Sequence, residues 1–287
     1  MSLEAATLPL ELQQFEQMLQ QQIDAGDIDV PMLPEVANKA LLLAQNPDSD
    51  ASEMAKLIQS DQSLAGHVMR IANSVAYTPM SNLVSLQQAI SRLGMRVISE
   101  IALTAAIGAK LFHTPGYEPY VASVWRHALA TSLWSKEIAR HCRSNVEVAF
   151  LSGLLHSIGR PAIMQVILDL AKQQQIELSV DQVHQLEQNY CQQITQQVVC
   201  KWKMPQLVID AIHWNSEDAT TTIAAKVAAV VNTSAAFSVY MLGSDKVDKA
   251  SLYTLPELTI LNLYQDEVKS LLNKVDDIKQ GLEGLSS

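Results

Sequence analysis

Apolar residues recur at three- and four-residue spacing along nearly the whole chain, and no stretch shows the strict alternation of a half-buried strand. That property restricts the fold to packed helices: the chain reads as all-α and multi-helical. Leu12, Phe15, Leu19 and Ile23 form one stripe, with Gly26 as its stop. Leu33-Pro34 opens the next helix, with Pro34 read as its first helical residue; Val36, Ala40, Leu43 and Ala44 share a face, ending before Asn46-Pro47. Asp50 to Glu53 reads as a capping box before Met54, Leu57 and Ile58. Asp61 caps a helix carrying Leu64, Ala65, Val68 and Ile71. Ser85 starts another, with Leu86, Ala89, Ile90 and Leu93 inward and Gly94 as its stop, and a long helix follows from about Arg96 to Phe112.

His113-Thr114-Pro115-Gly116 is the clearest break in the chain. Beyond it, helices are expected at about 119–142, 146–158, 161–174, 180–201, 205–214 and 221–241, with shorter ones after Pro256 and from about Asp266. No repeat of solenoid period is present. The expected organisation is an N-terminal helix (1–28), a helical subdomain (29–114), a second helical subdomain (115–241) and a C-terminal helical extension (242–287).

Its 287 residues, 48% apolar and 17% charged, are enough to bury a substantial core. Twenty Lys and Arg against 30 Asp and Glu give a net charge of -10, which repels phosphate backbones and anionic membranes. The basic clusters, Lys201-Trp202-Lys203 and Arg92/Arg96, are too small for a groove binder, so no nucleic-acid partner is expected. Cys142, Cys191 and Cys200 form no CxxC pair, which points to reduced thiols and a cytoplasmic location. Met1-Ser2-Leu3-Glu4 shows no secretory signal. Val227 to Ser244 carries no charge, yet Asn232, Thr233, Ser234 and Ser238 and its Ala/Val content favour a buried helix over a membrane span of ~20 strongly apolar residues.

Ala149, Gly153 and His156 share a helix face beside a stripe of Leu151, Leu154, Leu155 and Ile158. The small face lets a neighbouring helix come close, and His156 stands at its end, with Gly159 read as the helix terminator. His127, on the preceding long helix, could meet His156 across an antiparallel pair. Two such imidazoles are either half of a metal site or two hydrogen-bonded core histidines. A site that activates water for phosphoester cleavage needs carboxylates too, and Ser157 is neutral where an aspartate would supply charge. Asn73 is expected to end its helix in a left-handed conformation, its amide satisfying the turn. Trp202 reads as a core anchor and Pro205 as a helix start. His67 and His184 receive no role; Met32, Met54, Met69, Met95 and Met164 read as core filler, and the glutamine runs as solvated faces.

Gly153-Leu154-Leu155-His156-Ser157-Ile158-Gly159-Arg160 resembles the His-Asp signature of the HD phosphohydrolase superfamily. Upstream, Leu33-Pro34 with Val36 and Ala37, Ile58 to Leu64, Ile71-Ala72-Asn73-Ser74-Val75-Ala76-Tyr77, Ser85 to Gly94 and Trp125-Arg126-His127 resemble the HDOD family, the HD-related output domain of bacterial signalling proteins. The resemblance runs from about Pro31 to Asn232 and implies an HD-domain, phosphodiesterase-like helical bundle with an N-terminal helical subdomain. In catalytic relatives a first His, the His-Asp pair and a later Asp build the metal shell. By position, His127 and His156 are retained, Ser157 replaces the paired Asp and Asn232 replaces the last one. Trp202-Lys203-Met204-Pro205 matches the family's Trp-x-x-Pro element, with Cys191 and Asn215-Ser216 at positions where relatives carry further histidines.

The resemblance therefore implies a non-catalytic signalling module with no metal or other cofactor, whose partners are signalling proteins. The alternatives are a metal-dependent phosphohydrolase with rearranged ligands and a sensor that binds a nucleotide in the residual cleft without hydrolysing it. The helix bearing Leu12, Phe15, Leu19 and Ile23, and the helices after Pro256, must pack on the core or on another chain, a homodimer being one form of the latter.

Overall fold

The computed structural model describes every residue except 1–9, 27, 75–76, 78–82, 109–110, 216–217, 219, 245–246 and 287. Among the described residues the regular elements are all helical. After α1 (Leu10–Asp24), a first group comprises α2 (Glu35–Gln45), α3 (Ala51–Gln59), α4 (Gln62–Ala72) and α5 (Leu86–Ile107), with α2, α3 and α4 all packed on α5. Their starts follow the capping residues. Asp50 Oδ1 accepts from the Ser52 and Glu53 amides at 2.7 and 2.8 Å, while Glu53 accepts from the Asp50 amide. Asp61 accepts from Leu64 N, and Ser85 from Gln88 N.

Four local expectations are corrected here. Pro34 is the N-cap of α2, at φ -50 and ψ 131, so it lies outside the helix. Gly94, at φ 83 and ψ 157, breaks α5 into two rods as its stop role implies, but the second rod ends at Ile107 rather than Phe112. Asn73 is right-handed, at φ -86 and ψ -2. Its amide instead clasps a residue ten positions on: Oδ1 accepts from Leu83 N at 2.6 Å, and Nδ2 donates to Leu83 O at 2.9 Å and Met69 O at 3.1 Å. Met32 is 61% exposed and fills no core, whereas Met54 and Met164 are fully buried. Val75, Ala76 and Ser216 lie outside the described residues.

The second group is built on α6 (Glu118–His141), with α7 (Val146–Leu155), α8 (Gly159–Gln174), α9 (Val180–Lys201), α10 (Gln206–His213) and α11 (Ile223–Met241). Helix α6 packs most extensively on α7 and α11, and α8 on α9. The close α6–α7 approach depends on Gly153, where a Cβ would lie 2.6 Å from Ser135 Oγ and 3.0 Å from the Thr131 carbonyl oxygen. Gly159 does not terminate α7. That helix ends at Leu155 with His156 as its C-cap, and Gly159 opens α8, where a Cβ would sit 2.1 Å from the Cys191 carbonyl oxygen on α9. Among the described residues α11 is the one helix long and apolar enough to cross a membrane, and 56% of its apolar window is buried in the core.

Both unassigned apolar stripes belong to this core. Leu12, Phe15, Leu19 and Ile23 are buried, and the N-terminal segment lies along α9. Gln197 Nε2 donates to Ile23 O at 2.9 Å, and Trp202 Nε1, itself a buried anchor, donates to Pro31 O at 3.0 Å. At the other end, α12 (Glu257–Leu261) packs on α11 and α14 (Val275–Ser286) on α6, with α13 (Gln265–Leu272) between them in the chain. Val268, Leu271, Ile278 and Leu282 are buried with them. A single hydrophobic cluster thus runs from Leu12 to Leu285.

Candidate functional site

His127 projects from α6 and His156 from the corner between α7 and α8, which places their ring centroids 5.4 Å apart. Each ring is held by a backbone carbonyl: His127 Nε2 lies 3.3 Å from Ala235 O, and His156 Nδ1 lies 2.7 Å from Gly153 O. A carbonyl only accepts, so the nitrogen facing it carries the proton, and each neutral ring presents a lone pair on its other nitrogen. Burial, the neighbouring His127 and the Arg160 charge push the His156 pKa down to about 3. Burial and Arg160 also lower His127, against the opposing pull of the Ala235 carbonyl. Ser157 is 8% exposed, and its Oγ has no hydrogen-bond partner among the described residues.

These groups line a cleft of about 660 Å³. Tyr120, Ser123, Val124 and His127 of α6 form one wall; His156, Ser157 and Arg160 form the floor; His184, Gln188, Cys191, Gln192 and Thr195 of α9 form the other wall. The carboxylate beside it is Glu187, fully buried on α9 and already engaged. It accepts from Arg160 Nη1 at 2.7 Å and from Tyr120 Oη at 2.8 Å, with His184 Nδ1 3.5 Å away. Burial by itself would lower the Arg160 pKa, but Glu187 and Tyr120 hold it above its ordinary value. The buried acid therefore balances Arg160, and among the described residues no carboxylate lines the cleft. Among the described residues no three His, Cys, Asp or Glu side chains group as a metal ion would need. Two imidazoles beside an uncharged serine do not fit a catalytic dication, which takes three protein ligands even in a minimal zinc centre.

Of the residues singled out from sequence, His127, His156 and Ser157 share the cleft. Asn232 does not line it and is exposed on α11; Ala235, nearly one turn further on, supplies the carbonyl that meets His127. Cys191 lines the α9 wall with a free thiol, and Asn215 lies outside the lining. The Arg160–Tyr120–Glu187–His184 network escaped the sequence reading, which left His184 without a role. Its members are 27 to 67 residues apart along the chain in their hydrogen bonds, so no local spacing marks them. The one local trace is His184 and Glu187 three residues apart on a helix.

The fold and this paired-imidazole cleft define an all-helical protein of HD-like class. The chain belongs to the HDOD family: the HDOD domain profile matches residues 30–218. Solved structures reproduce the architecture. An HDOD domain protein of Geobacter sulfurreducens, 19% identical, superposes with a TM-score of 0.71 over 96% of this chain and 99% of its own. A Shewanella amazonensis SB2B protein named "Putative metal-dependent phosphohydrolase" gives 0.69 at 18% identity, over 94% of this chain and 99% of its own. A Marinobacter aquaeolei VT8 protein named "Putative signal transduction protein" gives 0.61 at 21% identity, over 98% of this chain and 68% of its own. At these identities the likeness concerns the fold. A curated Treponema pallidum (strain Nichols) protein of uncharacterised function is 20% identical over 196 residues, 65% of this chain and 37% of that protein, so this chain matches little more than a third of its length.

Proposed function

We propose that this HDOD chain is a non-catalytic signal-transduction module that works by binding, to a signalling protein or to a nucleotide in the residual cleft, in the bacterial cytoplasm. The observation that carries the reading is Ser157: a buried, uncharged side chain with an unpartnered hydroxyl beside His156, where a metal shell would need a carboxylate. Glu187 supports it, because releasing that acid to bind a cation would leave Arg160 without its partner. The net charge of -10 and the lack of a large basic cluster speak against a nucleic-acid partner. The signalling role rests on the family and on the Marinobacter relative's name. Self-association is part of the proposal only as one form of protein partner.

Thermal shift distinguishes the binding modes. Raising Mn²⁺ or Mg²⁺ should leave the melting temperature unchanged, whereas a ligand that binds only the folded state raises it with concentration. A cyclic dinucleotide or guanosine polyphosphate that raises it without product formation selects the sensor form. Partner capture from the native cell tests the protein-binding form. Hydrolysis of a phosphoester with metal-dependent turnover would refute the reading.

A second reading, a metal-dependent phosphohydrolase with a rearranged ligand set, draws on the two lone pairs that His127 and His156 present and on the Shewanella relative's name. It requires stoichiometric divalent metal that disappears in His127→Ala or His156→Ala.

A further inference from the structure

A second cavity, of about 370 Å³, lies away from the imidazole cleft, where α5, α6 and α14 meet. Its apolar walls are Leu93 and Val97 of α5, Leu133 of α6 and Ile278 of α14, with Tyr77 beside them. At its base is Lys136. This residue is 9% exposed, and its ammonium donates to Glu100 Oε2 at 2.7 Å. An ammonium has three donors. Glu100 takes the single hydrogen bond that Lys136 makes among the described residues; its other close neighbours are aromatic faces, the Phe150 ring centroid at 5.1 Å and that of Tyr77 at 5.9 Å. A buried cation with donors to spare, opening into a half-apolar cavity, calls for an acceptor.

At the mouth Arg140 and Lys274 both pair with Glu137, Lys274 at 2.7 Å, and Asp277 lies alongside. Three cations and the acids Glu100, Glu137 and Asp277 therefore balance. A dianion would meet these three carboxylates, and a cation would meet Lys136 at the base. A single negative charge fits, because it satisfies the remaining Lys136 donors with the least added repulsion from these carboxylates. The cavity's size is that of a small-molecule site.

We propose that this cavity binds a small organic monoanion, a carboxylate on a short apolar body, with the carboxylate on Lys136 and the apolar body between Val97, Leu133 and Ile278. Such a ligand touches α5, α6 and α14 together, so it ties the first helical group and the C-terminal helix to α6.

The test uses octanoate as probe on the full chain, with octanamide and octylamine as neutral and cationic counterparts, read by calorimetry and thermal shift. Octanoate should bind saturably and raise the melting temperature, and the two counterparts should not. Lys136→Met combined with Glu100→Gln, which leaves no lone buried charge, should weaken octanoate by about 10- to 100-fold, the scale of one charge-assisted hydrogen bond. Ile278→Trp, which fills the cavity from α14 and keeps both charges, should abolish binding. No saturable octanoate binding, equal binding of octylamine, or octanoate affinity unchanged in Ile278→Trp or in the double variant would overturn the proposal.

Discussion

Helix α6 carries two polar sites that the fold treats in opposite ways. Toward its middle, His127 faces His156 in a cleft where burial holds these two imidazoles uncharged and the Ser157 hydroxyl is unpaired among the described residues. Further along, Lys136 pairs with Glu100 at 2.7 Å in a nearly dry setting, where burial outweighs that pairing and raises the Glu100 pKa. The difference shows what burial permits. A charge survives there only with its counter-charge in contact, and a site without counter-charges persists as neutral, hydrogen-bonding groups. Glu187 follows the same rule, fully buried because Arg160 and Tyr120 meet it.

The largest effect should come from breaking the charged site. Lys136→Met or Glu100→Leu alone strands a buried charge and should cost about 3–5 kcal/mol in chemical denaturation. The double change Lys136→Met with Glu100→Leu should recover most of it. Equal costs for the single and double variants would show that packing, rather than pairing, maintains the site.

Next comes the geometry of the cleft. Gly159→Ala drives a methyl group into the α9 backbone at Cys191 and Thr195, and should cost about 1–3 kcal/mol as α8 and α9 separate. The floor bearing His156 and the wall bearing Gln188 and Gln192 would move apart together. A variant as stable as the parent would mean that this approach is looser than the structure has it.

Read over a single pH unit, the smallest effect is the pH dependence of the neutral pair. The folded-state pKa of His156, about 3, lies below the ordinary 6.5, so below pH 6.5 the unfolded chain takes up a proton that the folded chain refuses. The contribution is fully present above pH 6.5 and is lost as pH falls from there toward 3, by about 1.4 kcal/mol per pH unit. His156→Gln should flatten the stability profile by that slope between pH 6 and 5 relative to the parent. Parallel profiles would place a protonated imidazole in the cleft.

Much of this was legible in the sequence because its causes are local. Asp50, Asp61 and Ser85 cap helices through amides two or three residues away, and Gly94 stops one through its own φ. The His127–His156 meeting was legible through the Ala149/Gly153 face, which sets how closely α7 approaches α6. What stayed hidden depends on partners far along the chain. Asn73 answers to Leu83, Glu187 to Arg160 and Tyr120, and Lys136 to Glu100, and no spacing rule reaches across such separations. Gly159 misled for a related reason: a glycine after a helix reads as a stop, but here it is required by the α9 backbone. The apolar stripes of α1 and α14 signalled burial without naming the surface that receives them.

The most direct test of the central claim is the metal content of the purified full chain, grown with manganese and zinc supplied, beside Ser157→Asp prepared in the same way. The account predicts substoichiometric metal in the parent, unaltered by His127→Ala, and a gain in Mn²⁺ affinity when Ser157→Asp restores one carboxylate beside His156. One tightly bound divalent ion per parent chain, lost in His127→Ala and His156→Ala, would contradict it.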